Sequence, residues 1–193
     1  WIAGGLSFPE VYSPAQTNVI KTSYAYILST AQTNGIVPID LTSSCGGSIS
    51  NCNLSGNIPH GLYIANGNLT LTGAPSYTFP ANSNYVILVK GDLTINENII
   101  VPRGSTVTFS VSGNIIVNRN VGVASSSTAT SIQGYYSADG SFIAQGNNDC
   151  SIGQDLRLNI GGSVVTNAAL GGGSFQNQRD LCADDPSFPS VTF

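Results

Sequence analysis

The sequence predicts an all-β protein, a parallel β-helix (solenoid) of about five coils with an N-terminal capping helix and a disulfide-closed loop. The main observation is a glycine phrase that recurs as GNLTLTG at Gly67, GDLTI at Gly91 and GNIIVNR at Gly113. The intervals are 24 (91 − 67) and 22 (113 − 91) residues. Each copy also follows another alternating run, so one unit holds the two or three short strands of a single coil. A composition rich in Thr, Val, Ile, Asn and glycine favours pleated strands and tight corners.

Two weaker copies extend the repeat, GSFIAQ at Gly140 and GSVVTN at Gly162. Short strands at this spacing would also suit an antiparallel sandwich of hairpins. The return of whole phrases at one phase favours the solenoid, in which like residues stack on like. The inward positions are then expected to be Leu69, Leu71, Leu93, Ile95, Ile115, Val117, Phe142, Ala144, Val164 and Thr166.

The chain is expected to form one structural domain, with residues 1–56 as a helix and loop cap and residues 57–193 as the solenoid. Ser13 and Pro14 resemble the start of an amphipathic helix, and Asn34-Gly35 resembles its end.

The same alternation predicts two outward columns. The first, Thr70, Thr94, Ile116, Ile143 and Val165, becomes more apolar along the chain. Such a stripe is either covered by the N-terminal helix or the C-terminal tail, or it is a binding surface. The second column is an expected amide ladder of Thr72, Asn96, Asn118, Gln145 and Asn167.

The four cysteines indicate disulfides and an extracellular or cell-surface location. Three pairings are possible, and the favoured one joins Cys45 to Cys52 and Cys150 to Cys182. A zinc site is the alternative, but the chain has no CxxC pair and a single histidine.

Charge and hydropathy exclude two classes of partner. Only 8% of the 193 residues are charged, the formal net charge is −4, and the six Lys and Arg residues form no cluster. A protein that binds nucleic acid needs a stripe of Lys and Arg, so no nucleic-acid partner is expected for this chain. No run of 18 apolar residues occurs, so no membrane span is expected in this segment. Because the chain begins at Trp1 and has no methionine, we expect it to belong to a larger parent chain.

Few residues could carry catalysis. Lys90, Asp92 and Asp139 lie beside the repeated glycines, and polysaccharide cleavage would need two carboxyls roughly 5–9.5 Å apart. Asp92 falls instead between Asn68 and Asn114 in the repeat, which favours a hydrogen-bonding role at the corner. Catalysis by these residues is therefore not expected.

The segment RDLCADDP collects Asp180, Asp184 and Asp185, and such a loop could bind calcium. Ordinary turn chemistry explains Asp-Asp-Pro equally well, and no other cofactor is expected.

Tyr135 and Tyr136 are the best candidates for stacking on a sugar. Neighbours in a strand face opposite ways, so one of them must point outward. Core packing is the alternative role for either ring.

The chain from about residue 85 onward resembles repeat modules in large secreted or surface proteins of uncultured bacteria, including candidate-phylum lineages. The matching stretches are Gly91–Asn96, Gly113–Asn118, Gly134–Ile143 and Phe175–Cys182, the last reading FQNQRDLC. The resemblance implies a parallel β-helix on an exported protein. It implies no activity, so no catalytic residues are carried over.

These observations predict a non-catalytic extracellular solenoid module for adhesion or architecture, with glycans, polymers or other surface proteins as partners. One alternative is a polysaccharide hydrolase or lyase on the same scaffold. Another is a fibre subunit whose coils stack end to end.

Overall fold

The structure is a computed structural model and describes residues 21–54, 58–73, 76–147, 149, 151, 154–167, 173–182 and 191–193. In these ranges the chain forms one α-helix, α1 (Tyr24–Thr33), a 3₁₀ turn (Ile49–Asn51) and fourteen strands. The strands are β1 Ile39–Asp40, β2 Gly61–Ala65, β3 Leu69–Leu71, β4 Ser76–Thr78, β5 Asn84–Val89, β6 Leu93–Ile95, β7 Asn98–Ile100, β8 Thr106–Val111, β9 Ile115–Val117, β10 Ile132–Ala138, β11 Phe142–Ala144, β12 Leu158–Thr166, β13 Phe175–Asn177 and β14 Val191–Thr192.

The strands wind as a parallel β-solenoid of about five turns, which confirms the predicted fold class. Sheet A has the order β1-β2-β5-β8-β10-β12-β14, and sheet B has the order β13-β11-β9-β6-β3. In the early coils β4 and β7 add a third side, and β7 pairs with the start of β10. Every pairing between these strands is parallel, so the antiparallel sandwich is wrong.

Like residues stack on like in the interior of sheet B. Leu69 pairs with Leu93, Leu93 with Ile115, and Ile115 with Phe142. All four side chains are fully buried. Phe175 ends the column, and its ring stacks on that of Phe142 with the centroids 5.4 Å apart. Because each coil shares its apolar face with the coils on either side, the core is continuous along the axis.

The prediction for the last coil is wrong. Gly162 does not lie over Gly140, because β12 runs through nine residues and pairs with β10 in sheet A. The strand beside β11 is β13, whose phrase GSFQN begins at Gly173. The corner interval is therefore 33 residues (173 − 140), since the chain makes a long excursion between β11 and β12. The prediction that Val165 lies in the outward column of sheet B is therefore also wrong, because Val165 is in β12 and pairs with Ser137 in sheet A.

The helix begins later than the sequence indicated. Ser13 and Pro14 lie outside the described residues, and residues 21–23 form a turn and a bend. Ser23 caps the helix by accepting a 3.2 Å hydrogen bond from the Tyr26 N–H. The predicted end is confirmed, with Asn34 as the C-cap and Gly35 at a φ of 69°.

The helix covers part of the outer face of sheet A. It packs against β5 and β8, and outward-facing Leu88 and Ser110 in these strands are both fully buried. The outward stripe of sheet B is thus not the surface that α1 covers. In the part of the chain that the structure describes, no helix is long and apolar enough to cross a membrane.

The predicted disulfide Cys45–Cys52 is confirmed, and it closes a loop at the N-terminal end of the solenoid. Cys52 forms a parallel bridge with Leu71, and β1 pairs with β2. Strand pairing therefore extends across residue 56, and the division of the chain there stays a prediction. Cys182 is also disulfide-bonded, but its predicted partner Cys150 lies outside the described residues.

Candidate functional site

Asp92 belongs to a ladder of hydrogen bonds at the corner between the two sheets. Its backbone N–H donates to Oδ1 of Asn68 in the preceding coil (2.9 Å), and its own Oδ1 accepts the N–H of Asn114 in the next coil (2.7 Å). The pattern continues when Ser141 N–H donates to Asn114 Oδ1 (2.9 Å) and Ser174 N–H donates to Ser141 Oγ (3.1 Å). Each side chain satisfies a backbone amide where the chain turns between the sheets. The Asp92 carboxylate is therefore already engaged in a hydrogen bond to the backbone of the next coil.

Asp139 holds the helix on the solenoid. Its carboxylate accepts the N–H of Tyr24, the first residue of α1 (3.2 Å), and Nδ2–H of Asn167 (2.8 Å). Ser137 Oγ donates to the carbonyl of Thr22 (2.7 Å), and Thr22 Oγ1 donates to Asn167 Oδ1 (2.6 Å). A carboxylate at this position is favoured because the first turn of a helix has unpaired N–H groups and a positive dipole end.

The structure does not bring the catalytic candidates Lys90, Asp92 and Asp139 together in one column. Lys90 and Asp139 lie in one corner column, with Ser112 in the coil between them. Two coil spacings separate them by roughly 9.6 Å along the axis. Asp92 lies in another column, and Asp92 and Asp139 both bind backbone amides.

The outward stripe of sheet B is only partly as predicted. The register confirms Thr70, Thr94, Ile116 and Ile143 as one column, and Gln176 completes it. The apolar part of the column is therefore two isoleucines, with threonines on one side and an amide on the other. The neighbouring amide column ends at Gln178 rather than Asn167, since the Gln178 N–H donates to Ala144.

Tyr135 and Tyr136 face opposite ways, as the alternation predicts. Tyr136 is buried, its ring stacks on Phe109 with the centroids 5.4 Å apart, and its hydroxyl donates to the Gln133 carbonyl (2.9 Å). Burial raises the pKa of Tyr136. Tyr135 is 51% exposed on the outer face of sheet A. Of the two rings, Tyr135 alone is placed to meet a ligand.

A step between two coils creates a groove beside Tyr135. Ile132 pairs with Ile99, and three residues later Tyr135 pairs with Thr108. Between these two pairs the preceding coil has nine residues (108 − 99), whereas the coil of Tyr135 has three (135 − 132). The extra residues of the preceding coil, 101–105, protrude as a ledge.

The groove at this ledge has a volume of about 270 Å³. Arg103 lines it on the ledge side and Tyr135 on the sheet side, and the lining also includes Gly134, Gly161 and Gly162. A Cβ atom at Gly162 would collide with the carbonyl of Gly134, so glycine is required there. The absence of side chains at these positions keeps the groove open.

A second groove, of about 190 Å³, lies on the other side of the Tyr135 ring. Lys21, in the turn before α1, and Ile27, in α1, line one side of it, and Ser163 and Val165 line it from β12. Val165 thus borders the candidate site, although on the other sheet from the one predicted. The side chain of Tyr135 is a wall that both grooves share.

The FQNQRDLC segment contains an arginine with a structural role, Arg179. Arg179 is buried, and its guanidinium donates to four backbone carbonyls in the two preceding coils, with N–O distances of 2.7–3.1 Å; the acceptors are Asn118, Val121, Gln145 and Leu156. Burial lowers the pKa of Arg179 to about 10, and the charge of nearby Asp155 opposes this shift. Sequence reasoning noticed the motif but missed that its arginine ties the late coils together.

The predicted calcium loop is only partly described. Asp180 Oδ1 accepts the N–H of Cys182 (2.7 Å), while Asp184 and Asp185 lie outside the described residues. Among the residues that are described, no group of three or more His, Cys, Asp or Glu could hold a metal ion. Calcium binding by this loop stays a prediction.

Glu97 is a buried carboxyl that sequence reasoning missed. It is 4% exposed, and its Oε1 has no hydrogen-bond partner within the described ranges. Burial raises its pKa to about 7. It packs against Gly73, where any side chain would collide with it. Its position in NENII, between Asn96 and Asn98, could have raised the question of where a lone acid points.

Residues 29–153, more than half of the chain, match a domain of unknown function, DUF7305. The chain belongs to this family. No curated protein and no solved structure matches the sequence.

The DUF7305 match includes β1 to β11, and with them Arg103, Tyr135 and the corner ladder up to Ser141. Lys21 and Arg179 lie outside it. The ledge and the exposed tyrosine are therefore within the family region, whereas one wall of the second groove is contributed by residues that precede it.

Proposed function

We propose that this DUF7305 chain is a non-catalytic binding module of an extracellular solenoid, and that it holds a glycan or a similar polymer against Tyr135. The observation that carries the proposal is the half-exposed Tyr135 ring between two open grooves. A tyrosine ring offers an apolar face to the C–H groups of a sugar and a hydroxyl to its oxygens. Tyr136, locked in the core, fixes the backbone from which Tyr135 projects.

An extracellular setting is supported by the disulfide chemistry. Cys45–Cys52 is formed and Cys182 is disulfide-bonded, which suits an oxidising compartment. The resemblance to modules of secreted and surface proteins in uncultured bacteria agrees with that setting, and a larger parent chain would present the module on the cell surface.

A non-catalytic role is supported by the two carboxylates nearest the repeated corners. Asp92 accepts the amide of the next coil, and Asp139 accepts the first amide of the helix. A general acid or base must be free to exchange a proton with substrate, and these two groups are engaged in the fold.

The proposal is tested by glycan-array screening followed by titration calorimetry on the hits. We expect Tyr135→Ala to abolish binding and Tyr135→Phe to retain most of it, because the ring face is kept. Tyr26→Ala, which replaces a tyrosine on the helix that lines neither groove, is the matched control and should bind like the parent. A blank array, or equal binding by Tyr135→Ala, would refute the proposal.

A fibre subunit is a second candidate, favoured by the last described strand of sheet B. All three residues of β13 are exposed, and the Phe175 ring contacts that of Phe193, which is 64% exposed. Exposed parallel edges can template further strands. Light scattering that rises with protein concentration and falls in Phe175→Ser would support this role, while a concentration-independent monomer would exclude it.

A further inference from the structure

We propose that the polymer held at Tyr135 is an acidic polysaccharide, with its carboxylates bound by Arg103 in one groove and by Lys21 in the other. This inference rests on the function proposed above and names the class of ligand. Its basis is the distribution of charge around the two grooves.

The residues that line the two grooves carry positive charge, whereas the chain as a whole is negative. The chain has ten Asp and Glu residues against six Lys and Arg. Yet neither groove has an acidic residue among its described lining residues, and each has one cation, Arg103 in the larger and Lys21 in the smaller. A neutral sugar would need no such arrangement, whereas a carboxylated chain crossing the Tyr135 ring would meet a positive charge on either side.

Three of the other four cations are engaged elsewhere in the fold. Arg157 and Arg179 are buried and donate to backbone carbonyls. Arg119 pairs with Asp155 at 3.3 Å. Lys90 is exposed at the corner between the sheets. The two groove cations are thus two of the three Lys and Arg residues whose described contacts leave them available to a ligand.

Arg103 is presented by a well-fixed turn. The Ser105 N–H donates to the Pro102 carbonyl (3.1 Å), and Gly104 takes the positive φ of 81° that such a turn requires. Ser105 Oγ donates to the Pro80 carbonyl in the preceding coil (2.8 Å) and accepts the Ser83 N–H (3.2 Å). The guanidinium therefore projects from a rigid base, and its planar fork suits a carboxylate.

The remaining polar side chains of the larger groove are already engaged. Gln133 accepts the Val101 N–H (2.6 Å) and donates to Thr130 Oγ1 (2.7 Å), and Thr106 donates to Asn84 Oδ1 (2.7 Å). Recognition in this groove consequently falls to Arg103 and Tyr135. Both grooves are smaller than the roughly 300–1,000 Å³ of enclosing ligand pockets, so they suit a chain that lies along the surface.

The test uses three carboxylated polymers, polygalacturonate, alginate and hyaluronan, each paired with its own methyl ester. The ester keeps the sugar chain and removes the charge. We expect at least one acid to bind and its ester to bind more weakly, with the difference shrinking as salt rises from low to high ionic strength. Arg103→Gln and Lys21→Gln should each weaken binding of the acid about two- to five-fold.

Lys90→Gln is the matched control, because it removes an exposed cation from another face, and it should change nothing. The inference is overturned if acid and ester bind equally, if neither groove variant weakens the acid, or if Lys90→Gln weakens it as much. Binding of neutral glycans through Tyr135 without charge preference would refute this inference alone. No binding of any glycan would refute the proposed function as well.

Discussion

The amide of Asn114 donates to the Asp92 carboxylate of the preceding coil at 2.7 Å. In the same way the amide of Asp92 donates to Asn68. Asp92 thus accepts a hydrogen bond from the following coil through its side chain and donates one to the preceding coil through its backbone amide. The corner between the sheets, where strand pairing is interrupted, is stabilised by side chains that take over the missing acceptors.

Replacing Asp92 tests that role. Asp92→Ala leaves the Asn114 amide without its acceptor and should lower the free energy of unfolding by about 1–2 kcal/mol. Asp92→Asn keeps an oxygen at the same place and should stay within about 0.5 kcal/mol of the parent. Urea unfolding followed by circular dichroism measures both. Equal losses in the two variants would show that the charge, and not the acceptor, matters.

Replacing Asp139 should loosen the helix without unwinding the solenoid. Asp139→Ala removes the acceptor of the Tyr24 N–H and of Asn167 Nδ2–H, at a cost of about 1–2 kcal/mol in local stability. Hydrogen exchange of the α1 amides should then accelerate about ten-fold, while exchange in β6 and β9 stays unchanged. Asp92→Ala serves as the control and should leave the α1 amides protected. Faster exchange in every strand of Asp139→Ala would contradict a purely local role.

The parts of the fold that follow from short-range patterns could be predicted from the sequence. Glycine at a corner and alternation in the flanking strands are local features, and they place Leu69, Leu93 and Ile115 in one column. The last coil could not be placed by the same means. GSVVTN has the composition of a short sheet B strand and the expected interval, but the length of the preceding excursion decides which strand it joins.

The candidate site could be predicted only in part. Tyr135 follows from alternation along one strand. Arg103 and Lys21 could not be found in this way, because the larger groove arises from a difference between two coils and the smaller one from the docking position of the helix. A Pro-Arg-Gly turn between two strands was the available signal for Arg103, since it places the arginine at the tip.

Glu97 should make stability depend on pH. Its pKa in the folded chain, about 7, lies above the ordinary 4.5. The folded state therefore holds the proton more tightly than the unfolded state. Its contribution to stability is fully present below about pH 4.5 and is lost as the pH rises toward about 7, a loss on the order of 2 kcal/mol.

Glu97→Gln is the matched variant, because it keeps the shape and cannot ionise. Urea midpoints of the two proteins should be closest near pH 4 and separate as the pH rises, with the glutamine variant the more stable at pH 8. Parallel curves across this range would show that Glu97 ionises normally in the fold.

Loss of Arg179 should be the most damaging of these changes. Arg179→Met leaves four carbonyls without their donor and should cost roughly 3–5 kcal/mol. Arg179→Lys should rescue little, since an ammonium lacks the planar set of five donors. Chemical unfolding measures the loss, with exposed Arg103→Met as the control, expected within about 0.5 kcal/mol. A mild effect of Arg179→Met would mean that water replaces the guanidinium.

The corner ladder also bears on how such a chain can change during evolution. Successive rungs are separated by 24, 22, 27 and 33 residues from Gly67 through Gly91, Gly113 and Gly140 to Gly173, yet the hydrogen-bonding scheme is the same at each. Insertions and deletions in the excursions therefore leave the stack in register. Extra residues between the strands can form new surface, as the protruding 101–105 segment shows, while the stacked strands and the corner ladder keep their arrangement.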